Sequence, residues 1–296
     1  KGMNPAKAIA EIKKMMVERR VYGIGIAMPL PADFSSDAVA AIRSRLDSAR
    51  GQGATILFAI ESGSRAWGFP SPDSDYDCRF VYVRPVADHL VLEQPRDVIE
   101  FPIEGDIDAG GWDLRKALLL ALGGNAVIVE WAKSPIVYEE MAGFRDRLLE
   151  LLAEIVDPAK VSRHYLGLAR SHVARIGSFS GDVKLKKLFY FIRPIVALDW
   201  MEQRDFTRLP PMNLVDCLAE TEIPARAASE IRQLIDKKRQ TREMGLGPIP
   251  AEIARYLEAR YGHHEMNMAG STRDEARQTR NRALATAFYR QEAERQ

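Results

Sequence analysis

Two aspartates, Asp75 and Asp77, open a stretch, Tyr76 to Val83 (YDCRFVYV), that alternates and is rich in aromatic and β-branched residues. Such a stretch reads as a strand. On an extended chain, residues i and i+2 point to one face, so the two carboxylates lie together and repel unless positive charge sits between them. Upstream, Ile56 to Ile60 (ILFAI) reads as a short buried strand running into a turn at Glu61-Ser62-Gly63-Ser64, and Ser71 to Ser74 is loop chemistry. A strand, a Gly63-Ser64 turn and a second strand that opens on two carboxylates ten residues later make Ile60 to Arg84 the informative segment. Gly63 lets the backbone approach a ligand closely, and the Ser64 hydroxyl with nearby N–H groups can bind phosphate. A divalent cation supplies the missing positive charge, and Mg²⁺ prefers carboxylates together with phosphate oxygens.

The rest of the first half supports such a sheet. Residues 5–19 have amphipathic helical spacing, 21–28 are strand-like, and Ser35-Ser36-Asp37 starts a helix through Arg50. Val98 to Ile103 reads as a strand interrupted by Pro102. Gly105 allows a turn before a short strand, Asp106 to Ala109, and Trp112 to Leu122 reads as a helix with Asp113 in its first turn. After about residue 124 the strand signal nearly disappears. Helical periodicity covers 125–133, 139–155, 159–176, 183–203, 225–242, 250–261 and 273–290, and Pro194 is expected to kink or reset the fourth. The stretch 263–281 is polar and reads as a mobile segment. The expected fold is α+β: a mixed sheet with helices over 1–135, then an all-α domain over 136–296.

Charge adds a second asymmetry. The 296 residues carry 42 Lys/Arg and 41 Asp/Glu, net +1, which argues against a generally basic nucleic-acid coat protein. Residues 1–150 hold 18 basic and 22 acidic residues, whereas 151–296 hold 24 and 19. From Lys160 to Arg193 there are eight Lys/Arg against one acid, Asp182. Cys78 and Cys217 follow no metal or redox spacing and read as reduced thiols, which fits a cytoplasmic protein. No secretory signal and no bilayer-spanning apolar run is apparent.

The strand, Gly63-Ser64 turn and Asp75-x-Asp77 resemble the signature of the DNA polymerase beta superfamily of nucleotidyltransferases. The segments GSRAWG, SDYDCRFVYVRP, GWDLRKALLL, VEWAKSPIVY and KLKKLFYFIRPIVALDW narrow the resemblance to the RNA-repair-associated RlaP family, over roughly residues 55–260. Ala126-Val127 and the early helix end at Gly123-Gly124 depart from its pattern. The resemblance implies transfer of a nucleoside monophosphate from a nucleoside triphosphate to an acceptor hydroxyl, with release of pyrophosphate. It implies Mg²⁺ or Mn²⁺ held by Asp75, Asp77 and a third carboxylate on a later strand. Glu104, Asp106 and Asp108 share a parity; Asp108 is preferred because it directly precedes Ala109-Gly110-Gly111, and Asp106 stays open.

On the helix at 183–203, Leu185, Leu188, Phe189, Ile192 and Val196 form an apolar stripe. Lys186, Tyr190 and Arg193 lie on another face with Lys187 beside them. By the resemblance, these four face the carboxylates across a cleft, hold the triphosphate and stack the base. Arg65 either contacts phosphate or pairs with a local acid. His263-His264 does not have the spacing of a metal site. An RNA end is the acceptor the resemblance favours, and no membrane partner is implied. The alternative is a non-catalytic nucleotide- or RNA-binding module on the same fold. Its mark would be a broken carboxylate set, and both Asp75 and Asp77 are present.

Overall fold

The computed structural model describes residues 26–27, 29–176, 179, 181–242, 244–268 and 274–295. The helix expected over 5–19 lies outside the described residues, as does most of the strand expected over 21–28. What is described of that strand is β1, Ile26–Ala27. Helix α1 (Ser36–Gly51) starts where the sequence places it, with the Ser35 hydroxyl accepting from the Ala38 N–H at 3.4 Å. Next come β2 (Thr55–Glu61), a one-turn α2 (Gly63–Ala66), β3 (Tyr76–Val83), β4 (Val98–Glu100) and β5 (Ile107–Asp113). Helices α3 (Leu114–Gly123) and α4 (Ala126–Ala132) and strand β6 (Val137–Glu140) follow.

These strands form one mixed sheet in the order β1-β6-β2-β3-β5-β4, with β3 and β5 parallel and the other pairs antiparallel. The pleat sorts β3 into two faces. Tyr76, Cys78, Phe80 and Tyr82 pack into a cluster with Ala38, Ile42, Leu46 and Ala49 of α1. Val81 and Val83 join the opposite cluster with Leu114, Ala117 and Leu118 of α3. Asp77 and Arg79 share the parity of Val81, so the acidic positions face away from α1.

Several expectations need correction here. The strand expected to end at Ala109 continues to Asp113, and the helix starts at Leu114. Gly110 and Gly111 therefore lie within β5, because Phe80 fills the space where a Gly111 side chain would go: a Cβ there would meet its ring at 2.2 Å. Asp113 caps α3 from outside its first turn, accepting from the Arg115 N–H at 2.8 Å. The helix expected over 139–155 begins only at Phe144, since Val137–Glu140 is a strand paired with both β1 and β2. The division expected after residue 135 thus falls two residues before a strand of the main sheet.

The second half is predominantly helical: α5 (Phe144–Ile155), α6 (Pro158–Ile176), α7 (Leu185–Glu202), α8 (Leu214–Ala219), α9 (Ala225–Gln240), α10 (Ala251–Asn267) and α11 (Glu275–Glu294). It also carries a two-stranded ladder of β7 (Asp182–Lys184) and β8 (Leu246–Pro248), where only helices were expected. Helix α7 runs unbroken through Pro194. The stretch from His263 is ordered helix as far as Asn267, and His264 is 2% exposed. One apolar cluster runs from Leu57 and Val81 in the sheet to Leu188, Ile231, Leu257 and Ala293 in the helices, so the halves share a core. No helix among the described residues is long and apolar enough to cross a membrane. Both cysteines are buried and free.

Candidate active site

Strand β2 delivers the chain to the site through Glu61, which is fully buried. One Glu61 oxygen accepts from the Asp77 N–H at 2.9 Å, and the other accepts from the Tyr138 hydroxyl. Burial pushes the Glu61 carboxyl up to about 8. The Ser62 N–H donates to the Asp77 carbonyl at 2.8 Å, so the backbone of Asp77 is held on both sides. Gly63 then turns the chain at φ +61°. A Cβ at Gly63 would lie 1.8 Å from Oδ2 of Asp77, so the carboxylate occupies the space that glycine leaves free. The i, i+2 carboxylates and the Gly-Ser turn are therefore one contiguous structure.

The connection from α2 to β3 is tied internally. Ser64 Oγ donates to Ser74 Oγ at 2.9 Å, and Ser74 Oγ also accepts from the Ser71 N–H at 2.8 Å. Arg65 donates to the carbonyls of Ser74 at 2.7 Å and Asp75 at 3.2 Å and lies 4.0 Å over the Tyr76 ring. Its partners here are backbone and ring, so Arg65 fixes the approach to β3.

The parallel register of β3 and β5 sets Asp108 opposite Asp77. Glu104 pairs instead with Arg45 at 3.1 Å. Asp106 is exposed ahead of β5, and its carbonyl accepts from the Tyr76 N–H at 2.7 Å. The shared parity of the three acids is broken at Gly105, where φ is +62° and the chain reverses between Glu104 and Ile107. Arg79, two residues beyond Asp77 on the same face, was not singled out in the sequence. Its guanidinium makes two bonds to the Asp108 carboxylate, at 3.1 and 2.6 Å, and stands 3.6 Å from Asp77. The parity that joined Asp75 and Asp77 would have found it. Burial raises the Asp77 carboxyl above its ordinary value; Arg79 opposes that shift, while Asp108 and Asp75 add to it.

The helical half meets this acidic face through α7. Lys186 stands 3.6 Å from Asp73. Tyr190 is 40% exposed, and burial together with the charges of Asp77 and Asp75 raises its phenol. Its ring meets Trp67 edge-on at 5.8 Å and lies parallel to His172 at 5.6 Å. Lys187 turns to the other side of Tyr190, into a pocket with His172 and Arg175. Arg193 points inward, with only 11% of its side chain exposed. It pairs with Glu130 at 2.7 Å and lies 4.2 Å over Trp67. The expected row of Lys186, Tyr190 and Arg193 is thus split: Lys186 and Tyr190 are at the surface facing the acids, and Arg193 supports the Trp67 ring from below.

Four consecutive carbonyls after the Gly-Ser turn are taken by the helical half. Ala66 O accepts from Asn213 Nδ2 at 3.4 Å and Trp67 O from the Leu214 N–H at 2.9 Å. Gly68 O accepts from Arg239 at 2.7 Å, and Phe69 O from Lys238 Nζ at 2.6 Å. No sequence signal links these residues, which are about 150 or more positions apart.

The carboxylates of Asp75, Asp77 and Asp108 do not close on one point, and Arg79 supplies positive charge between two of them. The donor set is nonetheless all hard oxygen, which suits Mg²⁺ or Mn²⁺. The cradle that Gly63 leaves for Asp77 and the mutual repulsion of the acids both fit a cation there. Among the described residues, the group with metal-ligand proximity is Glu202, His263 and His264. There Arg260 already bridges Asp199 and Glu202, His264 bonds Asp199 at 2.6 Å and His263 bonds Glu202 at 2.6 Å. That charge is balanced by protein groups.

A mixed sheet carrying a Gly-Ser turn against Asp-x-Asp, closed by helices, defines the class of polymerase-beta-type nucleotidyltransferases. Within that class the chain belongs to the RNA repair pathway DNA polymerase beta family, RlaP, whose profile matches residues 39–290. It is 40% identical over 215 residues to the uncharacterized protein YcgL of Bacillus subtilis (strain 168), covering 70% of this chain and 82% of that one. A crystal structure of a nucleotidyltransferase-like protein from Exiguobacterium sibiricum matches 84% of this chain and 89% of its own, at 10% identity and a TM-score of 0.31. That likeness is too loose to assign a role to any residue.

Proposed function

We propose that this protein transfers a nucleoside monophosphate from a nucleoside triphosphate to an acceptor hydroxyl, with an RNA end as the acceptor and pyrophosphate as the leaving group. The observation that carries the reading is the seating of Asp77: packed onto Gly63, clamped at both backbone groups, and in register with Asp108. Asp75, Asp77 and Asp108 would hold Mg²⁺ or Mn²⁺, which supplies charge to the phosphoryl oxygens and lowers the pKa of the attacking hydroxyl.

The remaining work belongs to the protein. The Gly63-Ser64 turn offers backbone N–H groups to phosphate oxygens. Lys186 lies on the opposite wall, where its charge offsets that of the triphosphate. The exposed face of Tyr190 offers a stacking surface for the base. Arg65 and Arg193 act behind these groups, holding the strand entry and the Trp67 ring that backs Tyr190. Phosphoryl transfer asks chiefly for position and electrostatic stabilisation, which is what such a rigid set provides.

The test is direct. Wild-type protein with Mg²⁺, an α-labelled nucleoside triphosphate and an RNA bearing free hydroxyl ends should label the RNA. Asp77→Ala should abolish labelling while leaving the circular dichroism spectrum unchanged. Full labelling by a folded Asp77→Ala protein would overturn the assignment.

A further inference from the structure

Beyond Tyr190, away from the carboxylates, lies a pocket of about 700 Å³ between α6, β7, the first turns of α7 and β8. His172 and Arg175 of α6, Lys184 of β7 and Lys187 of α7 line it, with Ile176, Val183 and Leu246 as apolar surface. Arg175, Lys184 and Lys187 are exposed, and no ion pair ties them to an acid among the described residues. Among the described residues, Asp182 is the one acid in the lining. The whole chain is nearly neutral, so this is a local concentration of unneutralised charge. Tyr190, whose phenol feels the charges of Asp77 and Asp75, lines it together with the His172 ring stacked on it.

We infer that this pocket seats the acceptor strand: a single-stranded polynucleotide whose backbone phosphates lie on Arg175, Lys184 and Lys187, with its terminal part led over the Tyr190–His172 rings towards the carboxylates. The inference rests on the nucleotidyl-transfer reading and assigns the surface that holds its acceptor. Cations tracking a backbone beside aromatic rings that stack bases are the two components of single-strand recognition. An acidic peptide would use the cations and leave the His172 ring without a role. A small-molecule acceptor would not need cations drawn from three separate elements, α6, β7 and α7.

The test uses the full chain and a 5′-fluorescein-labelled single-stranded RNA of roughly ten nucleotides, within the usual span of single-strand sites. Binding is followed by anisotropy without nucleoside triphosphate, over a range of salt. The double variant Arg175→Glu/Lys184→Glu should weaken RNA binding by about tenfold or more and lower the slope of log affinity against log salt by about 2. Its affinity for a fluorescent ATP analogue should be unchanged. Arg43→Glu, on the exposed face of α1, is the control for charge reversal elsewhere on the surface and should leave RNA binding intact. Equal RNA affinity in the double variant and wild type overturns the proposal, as does equal loss in the Arg43→Glu control. So does binding of a polyglutamate peptide of matched charge that is as tight and as sensitive to the double variant. The underlying reading fails separately. If RNA binding responds as expected but no acceptor is ever labelled, transfer is wrong and the strand site stands. If RNA is labelled with an unchanged KM in the double variant, the strand site is wrong and transfer stands.

Discussion

At the scale of single residues, what matters about Asp77 is what its neighbours leave open. Gly63→Ala would place a methyl 1.8 Å from its carboxylate oxygen and force φ +61° on a residue with a Cβ. The expected outcome is loss of RNA labelling and of any thermal stabilisation by Mg²⁺ or Mn²⁺. Gly51→Ala, with nothing within 4 Å of the new methyl, should keep both and stabilise the end of α1 by about 0.5 kcal/mol in urea titration. Lys238 is a second case of a residue read by its surroundings. It is 2% exposed, bonds a carbonyl, and lies 4.5 Å over the Phe69 ring with no acid paired to it among the described residues. Burial, with Lys186 adding to it, lowers its ammonium from 10.5 to about 8, so the folded chain holds this proton less tightly than the unfolded chain. Stability from this group therefore rises as pH climbs from about 8 towards 10.5. The difference between wild type and Lys238→Met in urea midpoint should change over that window; parallel curves would show that the ammonium is not desolvated. Asp77 and Gly63 were legible because spacing on a strand and a turn residue carry their own geometry. Arg193 was misplaced because its partner, Glu130, lies on a different helix, and nothing in a helical face says which neighbour will meet it.

At the scale of elements, the site turn is a largely buried connection made rigid by α8 and α9. Asn213 both caps α8, accepting from the Val215 N–H at 2.8 Å, and donates to Ala66. Asn213→Ala should cost about 1 kcal/mol as a lost cap. It should also raise amide exchange across 63–69 and reduce labelling while leaving β2 and β3 protected. Unchanged exchange in that segment would mean the carbonyl contacts do not restrain it. The sequence showed α1, β2, β3, α6 and α9 well, since each has strong periodicity or a clear start signal. It missed β6 because four residues, VYEE, merge by pattern into the helix that follows. Pairing with Phe58 and Ala59 of β2 makes that segment a strand. It cut β5 short at a glycine pair, because only the position of the Phe80 ring explains why glycine belongs inside that strand.

At the scale of the molecule, the acidic first half and basic second half are two walls of one body. The shared core predicts a single calorimetric transition, and a fragment ending at residue 135, which lacks β6 and the helices that complete the core, should fail to fold. Two separated transitions would show that the halves are independent units. The division was legible as composition; its lack of independence was not, since a core is a property of contacts between distant segments. The four captured carbonyls also set an order in time. A ribosome releases Asp75, Asp77 and Asp108 early, yet Lys238 and Arg239 follow Phe69 and Gly68 by 169 and 171 residues. A nascent chain thus presents Asp75, Asp77 and Asp108 before the residues that tie the adjoining turn exist. The carbonyls of Gly68 and Phe69 are secured only once α9 has been made and docks.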